Sequence, residues 1–299
     1  MILMGFTDEA GADIEAQIDA CRRLGWKHVE LRRVGSGAAH DISDQEFDQA
    51  FAALEAAQIS VYCLGSAIAT GRSSILDPFE KTIEQVERAI PRMERLGCRL
   101  VRIMSYPMLA EREPDDQMEK ERFRRVREIV QRFGDAGMTV VQENCGDYGG
   151  MGWNYTLRLL ENVPGLKLVF DTGNPVVFKD YSKPDLRPLQ SSWEFYDKVK
   201  EHIAHVHIKD RTRPVSEEPS VHTFPGEGAG DVEQILGDLL KNGYDAGISI
   251  EPHLKGICSE FEHMDEPQGK IAQFVEYGHR LVKIIDDLGY GESLKQAGY

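Results

Sequence analysis

Apolar positions along the chain follow two alternating patterns. Short runs with period-two or continuous hydrophobicity fall at 2–6, 27–32, 59–64, 99–104, 138–143, 166–171, 203–208 and 247–251. Between them lie longer stretches whose apolar residues recur every three to four positions, at about 10–24, 43–57, 77–96, 116–136, 154–162, 187–201, 231–242 and 268–288. The first pattern predicts strands and the second amphipathic helices. Strict alternation of the two calls for a parallel sheet. Eight repeats without a break in composition call for one closed (β/α)8 barrel, a TIM barrel, over 1–288, with 289–299 as a surface extension. Punctuation agrees. Gly25, Gly97 and Gly137 stand where helices should end, and glycine there accepts the left-handed conformation that stops a helix. Ser43 opens the capping-box pattern S-D-Q-E, and Asp77-Pro78 suits a helix start. The stretch 209–230, with three prolines and three glycines, is too long for a plain connection, and long loops in such barrels usually carry function.

Alternation within strands assigns the faces. In 247–251, Ile248 and Ile250 oppose Gly247, Ser249 and Glu251; in 166–171, Leu166, Leu168 and Phe170 oppose Lys167, Val169 and Asp171; in 203–208, Ala204, Val206 and Ile208 oppose Ile203, His205 and His207. The apolar side should pack on helices, so the other points into the barrel. Strand 138–143 fits less cleanly, because Gln142 falls on the helix side. Four metal-ligand residue types then end four consecutive strands: Glu143, Asp171, His207 and Glu251. Barrel active sites lie at the C-terminal strand ends. Three carboxylates and one imidazole form an oxygen-rich set suited to one Mn²⁺, Mg²⁺ or Co²⁺, and compatible with Zn²⁺.

Composition narrows the classes. Across 299 residues, 41% are hydrophobic and the formal net charge is −15, which argues against broad nucleic-acid binding. The five cysteines include no C-x-x-C pair, so neither a disulfide frame nor a thiolate zinc site is expected. Cys145, close to Glu143, has no evident activating base. The N-terminus lacks the basic region of a signal peptide, and no apolar run is long enough to span a bilayer; the expected location is the cytoplasm. Helical surfaces of such barrels often pair, so a homo-oligomer is compatible.

The ordered motifs E-N at 143–144, D-T-G-N at 171–174, H-I-K-D at 207–210 and P-G-E-G at 225–228, framed by G-F-T-D-E near the start and I-S-I-E-P-H near the end, carry a family likeness over nearly the whole chain. The sequence resembles the xylose-isomerase-like barrels of the sugar phosphate isomerase/epimerase group, which also includes ketose 3-epimerases, inosose dehydratases and the apurinic endonuclease branch. The resemblance implies that Glu143, Asp171, His207 and Glu251 bind one divalent metal, and that Glu143 and Glu251 also move the proton. It implies substrate contact by Arg213, six residues after His207. Where many relatives carry a histidine three residues after the aspartate, this chain has Asn174, which cannot serve as an imidazole ligand and argues against a three-metal phosphodiesterase.

The expected activity is metal-dependent isomerisation or epimerisation of a sugar, sugar phosphate or related keto-polyol, with Glu143 and Glu251 as acid and base around an enediolate. Loss of a β-hydroxyl in the same site would make a dehydratase; a phosphodiesterase and a sugar-binding barrel are the other readings. Further candidates for substrate contact are Asn174 and His253. Lys209 and Asp210 read as supports of His207 or as a loop salt bridge, and His205 as a hydrogen-bonded core histidine. Glu30 and Arg102 read as inward residues that pair across strands or meet substrate. Trp153 and Tyr155 read as helix packing, and G-E-G as no dinucleotide fingerprint.

Overall fold

The computed structural model describes residues 1–183 and 185–299. Eight parallel strands run β1 (Ile2–Gly5), β2 (His28–Leu31), β3 (Ser60–Gly65), β4 (Leu100–Ile103), β5 (Thr139–Glu143), β6 (Lys167–Asp171), β7 (Ile203–Ile208) and β8 (Gly247–Ile250). They pair in the order β1-β8-β7-β6-β5-β4-β3-β2, and a parallel bridge between Phe6 and Glu30 brings β2 back to β1. The helices between them are α1 (Ile14–Leu24), α2 (Asp44–Ala57), α3 (Glu80–Leu96), α4 (Glu119–Asp135), α5 (Trp153–Asn162), α6 (Ser192–Val199), α7 (Val232–Lys241) and α8 (Glu266–Ile285). The expected (β/α)8 barrel is therefore the observed one.

Local chemistry sets the boundaries. Asp13 caps α1 by accepting from the Ala16 amide at 2.8 Å; α1 begins later than its periodicity suggests because Thr7–Glu9 forms a separate 3-10 turn. Ser43 and Glu46 form the reciprocal capping box of α2. α6 is shorter than the apolar pattern over 187–201, because Ser191 caps it and Lys200–His202 tightens into 3-10 geometry. The segment 289–299 includes a further helix, α9 (Gly291–Ala297). Leu294 is buried, and the Tyr299 hydroxyl accepts from the Leu3 amide at 2.7 Å, tying the extension to the first strand.

The register shows which residues share a level. Leu3, Ile248, Val206 and Phe170 align across four strands and pack outward among residues of α6, α7 and α8. Met4, Ser249, His207 and Asp171 align one residue further on and face the barrel axis. Below them Gly247 aligns with His205; a Cβ on Gly247 would sit 2.6 Å from the His205 ring, so glycine makes room for the buried imidazole. Glu143 aligns with Val169, a level below Asp171. Strand tilt and stagger bring these unequal levels together around the axis.

Candidate metal centre at the strand ends

One ligand atom from each of Glu143, Asp171, His207 and Glu251 lies within 4.8 Å of the others, and all four residues are buried. Each carboxylate is held by one oxygen and presents the other. Glu143 Oε1 accepts from the Asn174 amide at 2.9 Å, leaving Oε2 3.8 Å from His207 Nδ1. Asp171 Oδ1 accepts from the backbone amides of Gly173 and Asn174 at 2.9 and 2.6 Å. Glu251 Oε1 meets Arg32 at 3.0 Å, leaving Oε2 3.7 Å from His207 Nδ1. Asp171 Oδ2, Glu251 Oε2 and His207 Nδ1 are buried without a hydrogen-bond partner. The two carboxylate oxygens are met by the Lys209 ammonium, whereas the buried His207 Nδ1 has no donor or acceptor in bonding geometry, and an orphan of this kind calls for a partner. Hard oxygens and one imidazole nitrogen suit a divalent cation, so the donor set fits the expected metal.

The imidazole is oriented from beneath. Glu30 Oε2 lies 3.0 Å from His207 Nε2 and 2.7 Å from His205 Nε2. One carboxylate oxygen thus takes the Nε2 proton of both rings and turns His207 Nδ1 toward the cluster. Phe6 packs edge-on to the His207 ring, with centroids 4.9 Å apart. Asn144 fixes the neighbouring strand: its side chain donates to the Asp171 carbonyl at 3.0 Å and accepts from the Asp171 amide at 2.7 Å. This explains why asparagine follows Glu143.

Lys209 belongs to the centre rather than to a loop. Its Nζ is 3.0 Å from Asp171 Oδ2, 2.7 Å from Glu251 Oε2 and 3.2 Å from Asn174 Oδ1. The ammonium is close to both carboxylates but off their hydrogen-bonding directions, which is why those oxygens remain unpartnered. Burial opposes its charge, yet Asp171 and Glu251 hold the amine well above its ordinary range. Burial pushes Asp171 up to about 7, with Lys209 only partly offsetting it. Burial would also raise Glu251, but Lys209, His253 and Arg32 hold it well below the usual carboxylate range. Arg102, 3.5 Å from Glu143, likewise overrules burial and lowers Glu143. Burial disfavours the His207 imidazolium, but Glu30 and Glu143 raise its pKa to about 10. Three carboxylates crowded together with few cations give Asp171 the least favourable ionisation, which a divalent ion would relieve.

Several side chains around the centre carry no strong sequence signal. Arg32, after β2, binds Asp8 at 3.0 Å and Glu9 at 3.0 Å besides Glu251, and lies over the Phe6 ring. These residues come from T-D-E after β1 and R-R after β2, loops that only the closed barrel brings together. His253, at the rim, bridges Glu9 at 2.6 Å and Glu251 at 3.2 Å. Arg213 is directed elsewhere: it is exposed and donates to the Gln190 carbonyl at 2.9 Å. Cys145 lines the cleft, but burial raises its thiol, so it stands protonated. Asp210 accepts from the amides of Gly226, Gly228 and Gly230 at 2.9, 3.0 and 2.9 Å. The P-G-E-G-A-G loop is thus wrapped on a carboxylate, and a Cβ at Gly228 would lie 2.2 Å from Asp210 Oδ1.

The cluster opens into a cleft of about 340 Å³ lined by Glu143, Glu251, Asn174, Lys209 and His253, among others. This is within the range of small-molecule sites. A second cleft of about 390 Å³ adjoins it and includes Glu9, His253 and Lys255. His222 and His253, edge-to-face at 5.4 Å, stand in the walls of both. Among the described residues, no helix is long and apolar enough to cross a membrane.

Comparison with solved structures supports the fold. A D-tagatose 3-epimerase-like protein superposes with a TM-score of 0.71 at 16% identity, covering 97% of this chain and 98% of that one. The IolI protein, solved with a zinc atom, gives a TM-score of 0.67 at 15% identity, covering 96% and 99%. A xylose isomerase-like TIM barrel protein from Mycobacterium smegmatis, in complex with magnesium, gives 0.66 at 18% identity, covering 95% and 97%. No curated protein matches by sequence. Residues 18–274 match the family described as xylose isomerase-like TIM barrel, and the chain belongs to that family.

Proposed function

We propose that the protein is a divalent-metal-dependent isomerase or epimerase of a sugar, sugar phosphate or related keto-polyol. The observation that carries this reading is the convergence of one ligand atom each from Glu143, Asp171, His207 and Glu251 within 4.8 Å, with one oxygen of each carboxylate tethered by the protein. Two fold neighbours hold magnesium or zinc, and one is described as epimerase-like. Bound by these four residues, a divalent ion of the Mn²⁺, Mg²⁺, Co²⁺ or Zn²⁺ type would stabilise negative charge on a substrate carbonyl oxygen.

The protein supplies the rest. Glu143 and Glu251 end β5 and β8, with β6 and β7 between them, so they approach the centre from two sides. Both are held as carboxylates in neutral water. One takes the proton from the carbon beside the carbonyl and the other returns one; return on the opposite face gives an epimer, and return to the adjacent carbon gives an isomer. Asn174 and Arg32 tether the two acids through their Oε1 atoms. Asn174 also offers an amide to substrate hydroxyls, and His253 stands at the mouth for the same purpose. Arg213 reaches substrate only if its hairpin moves from the Gln190 carbonyl.

The test is solvent deuterium exchange into a panel of ketoses, their phosphates and keto-inositols, with Mn²⁺ added. Exchange without loss of water is expected, and Glu143→Gln or Glu251→Gln should each lower it by about 10²–10⁴-fold. Full exchange in either variant refutes that residue's role, and accumulation of a dehydrated product replaces the isomerase with a lyase.

A further inference from the structure

The cleft is divided by charge. Metal-ligand residues end β5 to β8, whereas the facing quadrant, β2 to β4 and their loops, contributes Arg32, Arg33, Arg72 and Arg102. Arg211, after β7, completes the rim. Arg32 is answered by Asp8, Glu9 and Glu251. The others are not answered in the same way. Among the described residues, Arg33, Arg72 and Arg211 have no carboxylate within salt-bridge distance, and Arg211 is tied only to the Ser220 hydroxyl, at 2.7 Å. Arg102 is 5% exposed; its Nε has no hydrogen-bond partner and its ion pair with Glu143 is a loose one at 3.5 Å. A buried guanidinium nitrogen that lacks an acceptor is costly unless a ligand in the cleft it lines accepts from that group. In a protein of net charge −15, local cations of this density mark a preference for an anion.

We propose that the arginine-lined side of this cleft is an oxyanion subsite: the substrate is a keto-sugar or keto-polyol bearing a carboxylate or phosphate that these guanidinium groups receive. Arg102 donates from the floor, and Arg33, Arg72 and Arg211 close around the anion at the mouth. Guanidinium forks match both oxyanions. The inference rests on the function proposed above for the chemical end of the site, but not for the anionic end.

The experiment titrates the Mn²⁺-loaded full chain calorimetrically with a ketohexose, its 6-phosphate and the matching keto-uronate, and measures deuterium exchange on the same three compounds. At least one anionic compound should bind about 100-fold tighter than the neutral sugar at low salt, the better arm identifying phosphate or carboxylate. That preference should fall about tenfold in Arg72→Ala and further in Arg33→Ala/Arg72→Ala, as expected for lost charge-assisted hydrogen bonds. It should also shrink with added salt. Arg72 is exposed and Arg33 half-buried, so these variants should fold; thermal melting checks that. Equal affinity for neutral and anionic sugars, or a preference that survives the double substitution, overturns the subsite. Exchange on the neutral sugar without anion preference leaves the isomerase reading standing and removes the subsite. Arginine-dependent anion binding without exchange does the reverse.

Discussion

Replacing Glu30 by glutamine tests the link between the buried histidine pair and the metal centre. Glu30 touches no proposed substrate, yet its Oε2 accepts from both His205 and His207. A glutamine carbonyl can accept, but it carries no charge to hold two imidazole protons beneath a cation. Carboxylates behind metal-bound histidines typically account for about 10–100-fold in metal affinity. The proton competes for the same His207 Nδ1, and its pKa is raised to about 10 through Glu30 and Glu143 against burial. Losing Glu30 therefore weakens both the metal and its competitor. Because the metal carries twice the proton's charge, the net result is weaker metal binding.

The sign follows group by group. Metal binds the deprotonated donors, so each donor protonated in the free protein releases a proton and tilts affinity upward with pH by about a decade per unit. Above Asp171's value of about 7, only His207 contributes in the native protein, and it does so up to about 10. Between pH 7.5 and 9, affinity for Mn²⁺ should rise about tenfold per pH unit in the native protein and less steeply in Glu30→Gln, where only Glu143 still raises His207. The 10–100-fold deficit should be fully developed at the alkaline end. Competition against a chelator of known pH dependence, with proton release measured in weak buffer, reads both quantities. Equal slopes and equal affinities would refute the assignment of Nδ1 as ligand and of Glu30 as its orienting base.

Below pH 7 the native protein should release close to two protons per metal, from Asp171 and His207, which calorimetry in buffers of different ionisation enthalpy measures. Lys209→Met removes the cation between Asp171 and Glu251. It should destabilise the metal-free protein by about 3–5 kcal/mol, as expected for a buried charge left unpaired, and added Mn²⁺ should restore much of the loss in melting temperature. Asp210→Asn weakens the three glycine amide bonds of the 224–230 loop; a loss of about 2–3 kcal/mol, with no change in metal affinity at saturation, is expected from denaturant unfolding.

Period-two alternation made the centre legible, and it reached further than the strand boundaries. Glu143, Asp171, His207 and Glu251 are collected by strand ends, as their spacing requires. Lys209 continues the inward series of His205 and His207, but a position past the strand end reads as loop, and its ion pairs are visible only in three dimensions. The same extension places Phe6 after Met4 and Arg32 after Glu30. Gln142 breaks the apolar outer face for a local reason: its amide lies 3.2 Å from the Asp147 carboxylate, which accepts from the Ser105 amide and hydroxyl at 2.5 and 2.6 Å. It thus fastens the loop after β5. The offset that pointed to Arg213 counts residues along a hairpin whose path the spacing does not determine, and the hairpin turns that side chain toward Gln190.

Closure of the barrel explains why Arg33 and Arg72 were hidden, whereas Arg102 was already legible as an inward strand residue that pairs across strands or meets substrate. Arg33, Arg72 and Arg102 are separated by tens of residues and follow β2, belong to the β3–α3 connection, and lie within β4. None of them forms a motif, and Arg33 and Arg72, in loops, ordinarily read as solvated surface. Parallel pairing of β2, β3 and β4 brings all three to one cleft, Arg33 and Arg72 toward its mouth and Arg102 on its floor beside Glu143. A substrate that chelates a metal on one side and meets guanidinium groups on the other is oriented by charge before any hydroxyl is read. In the proposed reaction Glu143 and Glu251 would act on a carbon whose position is set from both sides. The candidate ligand set was readable from three carboxylates and one histidine at four strand ends; the proposed polarity that would align a substrate between them arises only once the sheet closes.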